Sequence, residues 1–373
     1  MRRLVCARQM VTPEESYSET GVVIEDGKIQ ALGRRQELEV ASGTRTDDYG
    51  DAVLAPGLID IHVHGGAGVD VMTTEATGIE RLRHHLAQHG VTSFVATTMT
   101  APWDKLAAAV ERLGSAGLGI HLEGPFLSSE RRGVHPEADL LAPRPERLRE
   151  LWAASGGQIR IITLAPELEG AAELIAEAVK LGIRVSMGHS DATVEQARTA
   201  IVEGACHVTH TFNAMRPLHQ REPGLLGLAL ADAELSAEII ADGQHVDPML
   251  VSLFLQVKAE GKAMLVSDGI SATGMGDGEY SLGGIEVRVK DGCCRAGGQL
   301  AGSVLTLEQA VANVRRWTGW DWARAIRLAT LNPASLLGWT SKGRLEVGAD
   351  ADVAVFSPQG KIMATYVAGR LEN

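Results

Sequence analysis

No Lys/Arg-rich run occurs anywhere in the chain, and acidic residues outnumber basic ones by 47 to 35, for a net charge of −12 and a pI near 5.5. That balance excludes the basic stripe on which a nucleic-acid binder depends. No stretch approaches the roughly 18 apolar residues of a membrane span, and the segment from Met1 to Val11 is too short an apolar run for a signal peptide. Only four cysteines are present, Cys6, Cys206, Cys293 and Cys294, with no CxxC spacing. The adjacent pair would form only a strained bridge, so four thiols in a reducing compartment are expected. No internal repeat or low-complexity tract stands out. The expectation is a soluble cytoplasmic protein with neither a nucleic-acid nor a membrane partner.

What is there is organised around Pro56-Gly57-Leu58-Ile59-Asp60-Ile61-His62-Val63-His64, an apolar run ending in two histidines. Alternate residues of a strand face one side, so His62 and His64 point together. Two converging imidazoles suit a divalent cation. A His-x-His pair alone reads equally well as a packed core pair, and its weight comes from what recurs downstream.

The 373 residues are enough for one large barrel plus a small domain, or for two to three ordinary domains. Thr20–Leu32 carries strand formers on both sides of Asp26-Gly27, a hairpin signal. The far end repeats the character, with strands expected at 343–348, 352–356 and 363–367. Residues 1–54 plus 341–373 are therefore expected to form one small β-domain, sandwich-like and built from both termini. The middle, 55–340, alternates. Apolar runs at 58–64, 93–98, 119–123, 159–164, 183–188, 207–211, 237–241 and 263–267 read as strands. Helical patterns lie between most of them, with Asp191 and Asp247 at N-cap positions and Gly90, Gly182 and Gly204 as C-caps. Eight such alternations give a (β/α)₈ TIM-type barrel of the α/β class. Between strands six and seven only a short helix is offered. Residues 278–298 read as a hairpin insertion, followed by helices at 306–317 and 322–337.

Active sites of such barrels lie at the carboxyl ends of the strands. Strand one ends in His62 and His64, strand three in Glu123, strand five in His189, strand six in His210 and strand eight in Asp268. Four histidines and two carboxylates at one mouth make a divalent site with nitrogen and oxygen ligands. The alternative, a barrel whose strand ends happen to be polar, must explain six coincidences.

These residues resemble the metal-dependent amidohydrolase superfamily, which implies the barrel and terminal β-domain read above. Within it, HLEGPF (121–126), MGHSD (187–191), THTFNAM (209–215), REPG (221–224), DGQH (242–245) and SDG (267–269) resemble, in this order, the branch that deacetylates N-acetylglucosamine 6-phosphate. The resemblance implies that Glu123, His189 and His210 hold a principal metal, with His62 and His64 available to a second, so one or two divalent ions per subunit. Zinc is the first expectation, with iron, cobalt and manganese as alternatives. It implies Asp268 as general base and acid, and His135 as the group that polarises the amide carbonyl. Val134, Asn213, Ala214, Asp242, Leu300, Ala301 and Gly302 are implied at the sugar site. Arg221 and His245 would read the phosphate, the arginine reaching across a homodimer interface. The implied partner is a small phosphorylated amino sugar. Alternatives are the galacto epimer as substrate, another amidohydrolase reaction, or a catalytically dead barrel acting as a scaffold.

Other residues draw plainer readings. His121 shares a face with Glu123 and reads as a packed interior histidine, and His207, of the wrong parity for His210, as structural. His84, His85 and His89 read as solvated. Asp60 reads as structural and Asp191 as a cap. Arg131 and Arg132 read either as part of a flap or as a solvated loop. For His219 spectator and substrate contact remain open.

Overall fold

The computed structural model describes residues 2–12 and 16–372. Contacts divide the chain into two compact units: Met1–Asp60 with Arg83–Ser93 and Thr306–Asn373, and Ile61–Leu82 with Phe94–Leu305. The last helices thus group with the terminal strands, whereas the sequence reading carried the barrel to residue 340.

The barrel sheet has eight parallel strands in sequential order: Leu58–Val63, Val91–Thr98, Gly119–Glu123, Ile159–Leu164, Arg184–Met187, Ala205–Val208, Ser236–Ile239 and Ala263–Leu265. They are short apolar runs buried on both faces, as strands covered by crossover helices must be. A parallel bridge between Val63 and Gly269 joins the eighth strand's end to the first. Helices such as Trp103–Ser115, Ala171–Lys180 and Val194–Glu203 supply the crossovers, and only Gly224–Ala231 lies between strands six and seven. The insertion is a four-stranded antiparallel sheet, Gly278–Leu282, Ile285–Lys290, Cys293–Ala296 and Gln299–Leu300.

Strands from both termini form one further sheet. Val53–Pro56 pairs antiparallel with Val353–Phe356 and parallel with Arg3–Val11, whose other edge takes Ser16–Glu25. The hairpin turns at Asp26 and Gly27, with φ of 50° and 77°, the positive values a two-residue turn of this hand requires. The core holds Met10, Ile24, Leu54, Val355 and Tyr366. Among the described residues no helix is long and apolar enough to cross a membrane.

Two expectations fail for backbone reasons. The helix expected over 322–337 is two, Trp322–Arg327 and Leu331–Leu337, with Thr330 at φ −136°, ψ −86° between them. Pro333 has no N–H to donate, so it sits in the first turn of a new helix rather than inside a longer one. No strand forms over 343–348, because Gly343 and Gly348 take φ of 70° and 88° and turn the chain.

His85 is also buried rather than solvated, with 7% of its surface exposed, and its Nε2 has no hydrogen-bond partner. Its neighbour His89 approaches Glu308 Oε1 at 2.7 Å. Burial, then the His89 ring, hold His85 down to about 4. Between pH 6.5 and 4 the unfolded chain therefore binds the extra proton, and stability falls as pH drops through that window. His85→Leu is expected to flatten this slope and to be worth about 1 kcal/mol at pH 5 relative to pH 7. Denaturant melts of both proteins at the two pH values measure it, and equal slopes would reject the assignment.

Candidate metal centre and active site

Each side chain singled out at a strand end lies where the barrel delivers it. His62 is within the first strand and His64 just beyond it, Glu123 closes the third, and His189, His210 and Asp268 follow the fifth, sixth and eighth. The last three have φ of 48°, 25° and 49°, left-handed values that non-glycine residues avoid and that gather where a site over-determines the backbone. The turn at Asp268 is held at both ends: its N–H donates to His62 O at 2.9 Å and its C=O accepts from Ser303 N at 2.7 Å.

The ligand atoms fall into two buried groups, Glu123 with His189 and His210, and His62 with His64 and Asp268. Glu123 spans them. Its Oε1 lies 3.2 Å from His189 Nε2 and 3.1 Å from His210 Nε2, and its Oε2 lies 3.2 Å from His64 Nε2. Asp268 Oδ1 lies 3.2 Å from His64 Nε2 and 3.5 Å from His62 Nε2.

Hydrogen bonds on the far side of the rings decide what faces inward. His64 Nδ1–H donates to Thr97 O at 3.0 Å and His189 Nδ1–H to Arg131 O at 3.0 Å. Rings anchored through Nδ1 in this way turn Nε2, the atom left for a ligand, onto the carboxylates. Acceptors then face acceptors, which a cation resolves, so the residues present fit a divalent ion with nitrogen and oxygen ligands. Without a cation, protons do the same work. Against burial, which alone would lower it, Asp268 and Glu123 push His64 up to about 9. Burial raises Glu123 and Asp268, but the imidazoles, His62 foremost, hold both below the ordinary carboxylate range.

A cavity of about 520 Å³ opens over these atoms, a volume suited to a small ligand. Val134, His135, Asn213, Ala214, His245, Leu300 and Gly302 all line it. Its rim also takes Arg131, Arg132 and, from the insertion, Leu282 and Gln299, which the sequence reading did not single out. His135 is buried, with Nδ1 3.3 Å from Thr100 N and 2.9 Å from Thr100 Oγ1, and Nε2 3.6 Å from Glu123 Oε2. Burial and the neighbouring His189 hold it down to about 4, so the ring is neutral. With Nδ1 accepting from the Thr100 N–H, Nε2–H becomes a donor.

Three residues of the expected sugar and phosphate set do not line the cavity. Asp242 stands behind His245, its Oδ2 2.7 Å from His245 Nδ1. Ala301 is buried, with its N–H on Cys294 O. Arg221 is exposed on the loop after strand six, near His219.

His121 is an interior histidine, its Nε2 2.7 Å from Thr163 Oγ1. Asp191 is not the helix cap: Thr193 caps Val194–Glu203 in a capping box with Gln196. Asp191 instead pairs with Arg131 and Arg216, each at 2.7 Å. The residue missed altogether is Glu238, fully buried in strand seven between His62 and His207. A glutamate inside the apolar run from Ala237 to Ala241 was the available signal.

Fold and site together define a (β/α)₈ hydrolase-type protein with two carboxylate–histidine groups that could hold metal ions. The chain belongs to the amidohydrolase family, whose model matches residues 53–371. It is 36% identical over 377 residues to the N-acetylglucosamine-6-phosphate deacetylase of Bacillus subtilis (strain 168), covering 97% of this chain and 95% of that one. It is 37% identical over 384 residues to the N-acetylgalactosamine-6-phosphate deacetylase of Escherichia coli O157:H7, covering 100% of both. Among solved structures it resembles a mutant of the N-acetyl-D-glucosamine-6-phosphate deacetylase of Mycobacterium smegmatis in complex with N-acetyl-D-glucosamine-6-phosphate. That match has a TM-score of 0.94 at 34% identity over 100% of this chain and 99% of the other.

Proposed function

We propose that the chain hydrolyses the acetamido group of N-acetyl-D-glucosamine 6-phosphate, giving D-glucosamine 6-phosphate and acetate. The observation that carries this reading is the opening of both ligand groups, His135 and His245 onto one cavity. Relatives named for this activity align over nearly their whole length, which supports it further.

Glu123, His189 and His210 would hold one cation, and His62, His64 and Asp268 a second. Zinc heads the choice, and iron, cobalt and manganese suit the same ligands. A divalent cation there supplies Lewis-acid polarisation of the amide carbonyl and lowers the pKa of water from 15.7 to about 7. Asp268 takes the proton of the attacking water and returns it to the amine nitrogen as the C–N bond breaks. His135 donates its Nε2–H to the carbonyl oxygen as negative charge develops. Asp242, against the lowering effect of burial, raises His245 and so favours the protonated ring, which can donate to a phosphate. Val134, Asn213, Ala214, Leu300 and Gly302 shape the sugar site, with Ala301 buried behind them in the chain between Leu300 and Gly302. Arg221, exposed on its loop, would complete the phosphate site from a neighbouring subunit of a homodimer. The setting is the cytoplasm.

A second reading, the galacto epimer, is favoured by the relative named for that activity that aligns over the full length of both chains. Amine release by zinc-loaded enzyme separates the two. N-acetylglucosamine 6-phosphate should turn over at least about 100-fold faster than unphosphorylated N-acetylglucosamine, the worth of one good charged contact set. Faster turnover of N-acetylgalactosamine 6-phosphate would install the second reading, and no turnover of any of the three would discard both substrates.

A further inference from the structure

Glu238 is a carboxyl group with none of its surface exposed, inside barrel strand seven. Burying a carboxylate is costly unless charged or donating groups surround it. Three donors do. Its Oε2 lies 2.9 Å from His62 Nδ1 and accepts the His210 backbone N–H at 3.1 Å, and its Oε1 lies 3.0 Å from His207 Nε2. One carboxylate therefore touches a member of each ligand group, His62 by its ring and His210 by its backbone.

A carboxylate has no proton to give at neutral pH, so the 2.9 Å contact requires a proton on His62 Nδ1. That leaves the His62 Nε2 lone pair aimed between Glu123 Oε1 and Asp268 Oδ1, each 3.5 Å away. His64 and His189 are oriented by neutral backbone carbonyls instead. His62 alone among the ligand histidines is oriented by a buried anion. An anionic partner makes an imidazole a stronger ligand and adds charge to offset a second dication close to a first.

We infer that Glu238 is the positioning residue that commits the His62/His64/Asp268 group to binding a cation, so that the chain holds two ions where a neutral residue at 238 would leave one. His207 belongs to the same device, since its Nε2–H occupies the other carboxylate oxygen and fixes the carboxylate's rotation. The inference rests on the metal-centre reading but not on the identity of the substrate.

Metal titration tests it without substrate. Metal-free full-length protein is titrated with Co²⁺, followed by visible absorption and by total metal after gel filtration. Wild type should take up two ions per chain. Glu238→Gln should keep the first and bind the second about 10- to 100-fold more weakly, the usual cost of losing such a partner. Glu238→Asp, which keeps the charge, should recover part of that loss, and in a His62→Asn background, where the ring it positions is already gone, adding Glu238→Gln should cost the second ion nothing further. Wild-type uptake of two ions by Glu238→Gln would overturn the inference. So would equal weakening of both ions with no recovery in Glu238→Asp, the mark of a merely structural role. Wild type that binds no Co²⁺ would overturn the metal reading itself. Should Glu238→Gln not fold, His207→Gln is titrated in its place and should weaken the second ion alone; unchanged uptake or equal loss of both ions would count against the inference.

Discussion

Asp268→Asn is expected to lower kcat by about 10²–10⁴, the usual worth of a positioned acid–base group, while the Glu123/His189/His210 group still binds metal. The substitution is close to isosteric and leaves the backbone undisturbed. The turn is fastened by the Asp268 N–H on His62 O and the Ser303 N–H on Asp268 O, neither of which uses the carboxylate. Asparagine also accepts the left-handed φ of 49° as readily as aspartate does, where alanine would add strain. What changes is chemistry: an amide cannot accept the proton of a water and return it to a leaving nitrogen. The loss should therefore appear in kcat with KM little changed. Steady-state kinetics paired with metal analysis would check it. A variant within about tenfold of wild type and holding the same metal would remove Asp268 from the proton-transfer role.

Much of this arrangement was legible in the sequence, because the informative signals were local. Apolar runs located all eight barrel strands, and the histidine or carboxylate that ends five of them picked out the six side chains that gather in two groups, since a strand's end and its last polar residue are set by the same few residues. Side chains whose role depends on a partner elsewhere in the chain were harder. Glu238 has no meaning until the barrel brings His62, 176 residues away, to within 2.9 Å. Asp191 sits where a cap should be, yet Thr193 two residues later has the better geometry, which freed Asp191 to pair with Arg131 from another loop. His85 looked solvated because its helix is polar in composition, and only packing buries it. Gln299 and Leu282 reach the cavity from the insertion, whose folding back is a matter of tertiary contact that no local pattern announces.

Glu123→Gln should have the largest effect of any single substitution, loss of metal from both groups and of activity by about 10⁴-fold or more, because no cation then lowers the pKa of water. Glu123 lies against the ring Nε2 atoms of both groups. Its Oε1 lies within 3.2 Å of His189 and His210, and its Oε2 3.2 Å from His64. Substitution of His62 would touch one group only, whereas glutamine at 123 removes negative charge from both and turns an NH₂ toward one of them. The same geometry gives metal uptake a pH dependence with a definite sign. In the metal-free protein the Asp268 and Glu123 carboxylates, working against burial, hold His64 up to about 9. Since His64 Nδ1–H already donates to Thr97 O, the titrating proton is on Nε2, the ligand atom. Below about pH 9 an entering cation must expel that proton, so apparent affinity should fall about tenfold per pH unit as the solution is acidified. Dialysis against one chelator concentration should accordingly strip wild type more completely at pH 6 than at pH 8, and added Zn²⁺ at pH 8 should restore activity. In Glu123→Gln the chelator should find little to remove at either pH, and zinc should restore nothing. If that variant instead kept two ions and more than about a tenth of wild-type activity, the bridging carboxylate would not be what holds the centre together.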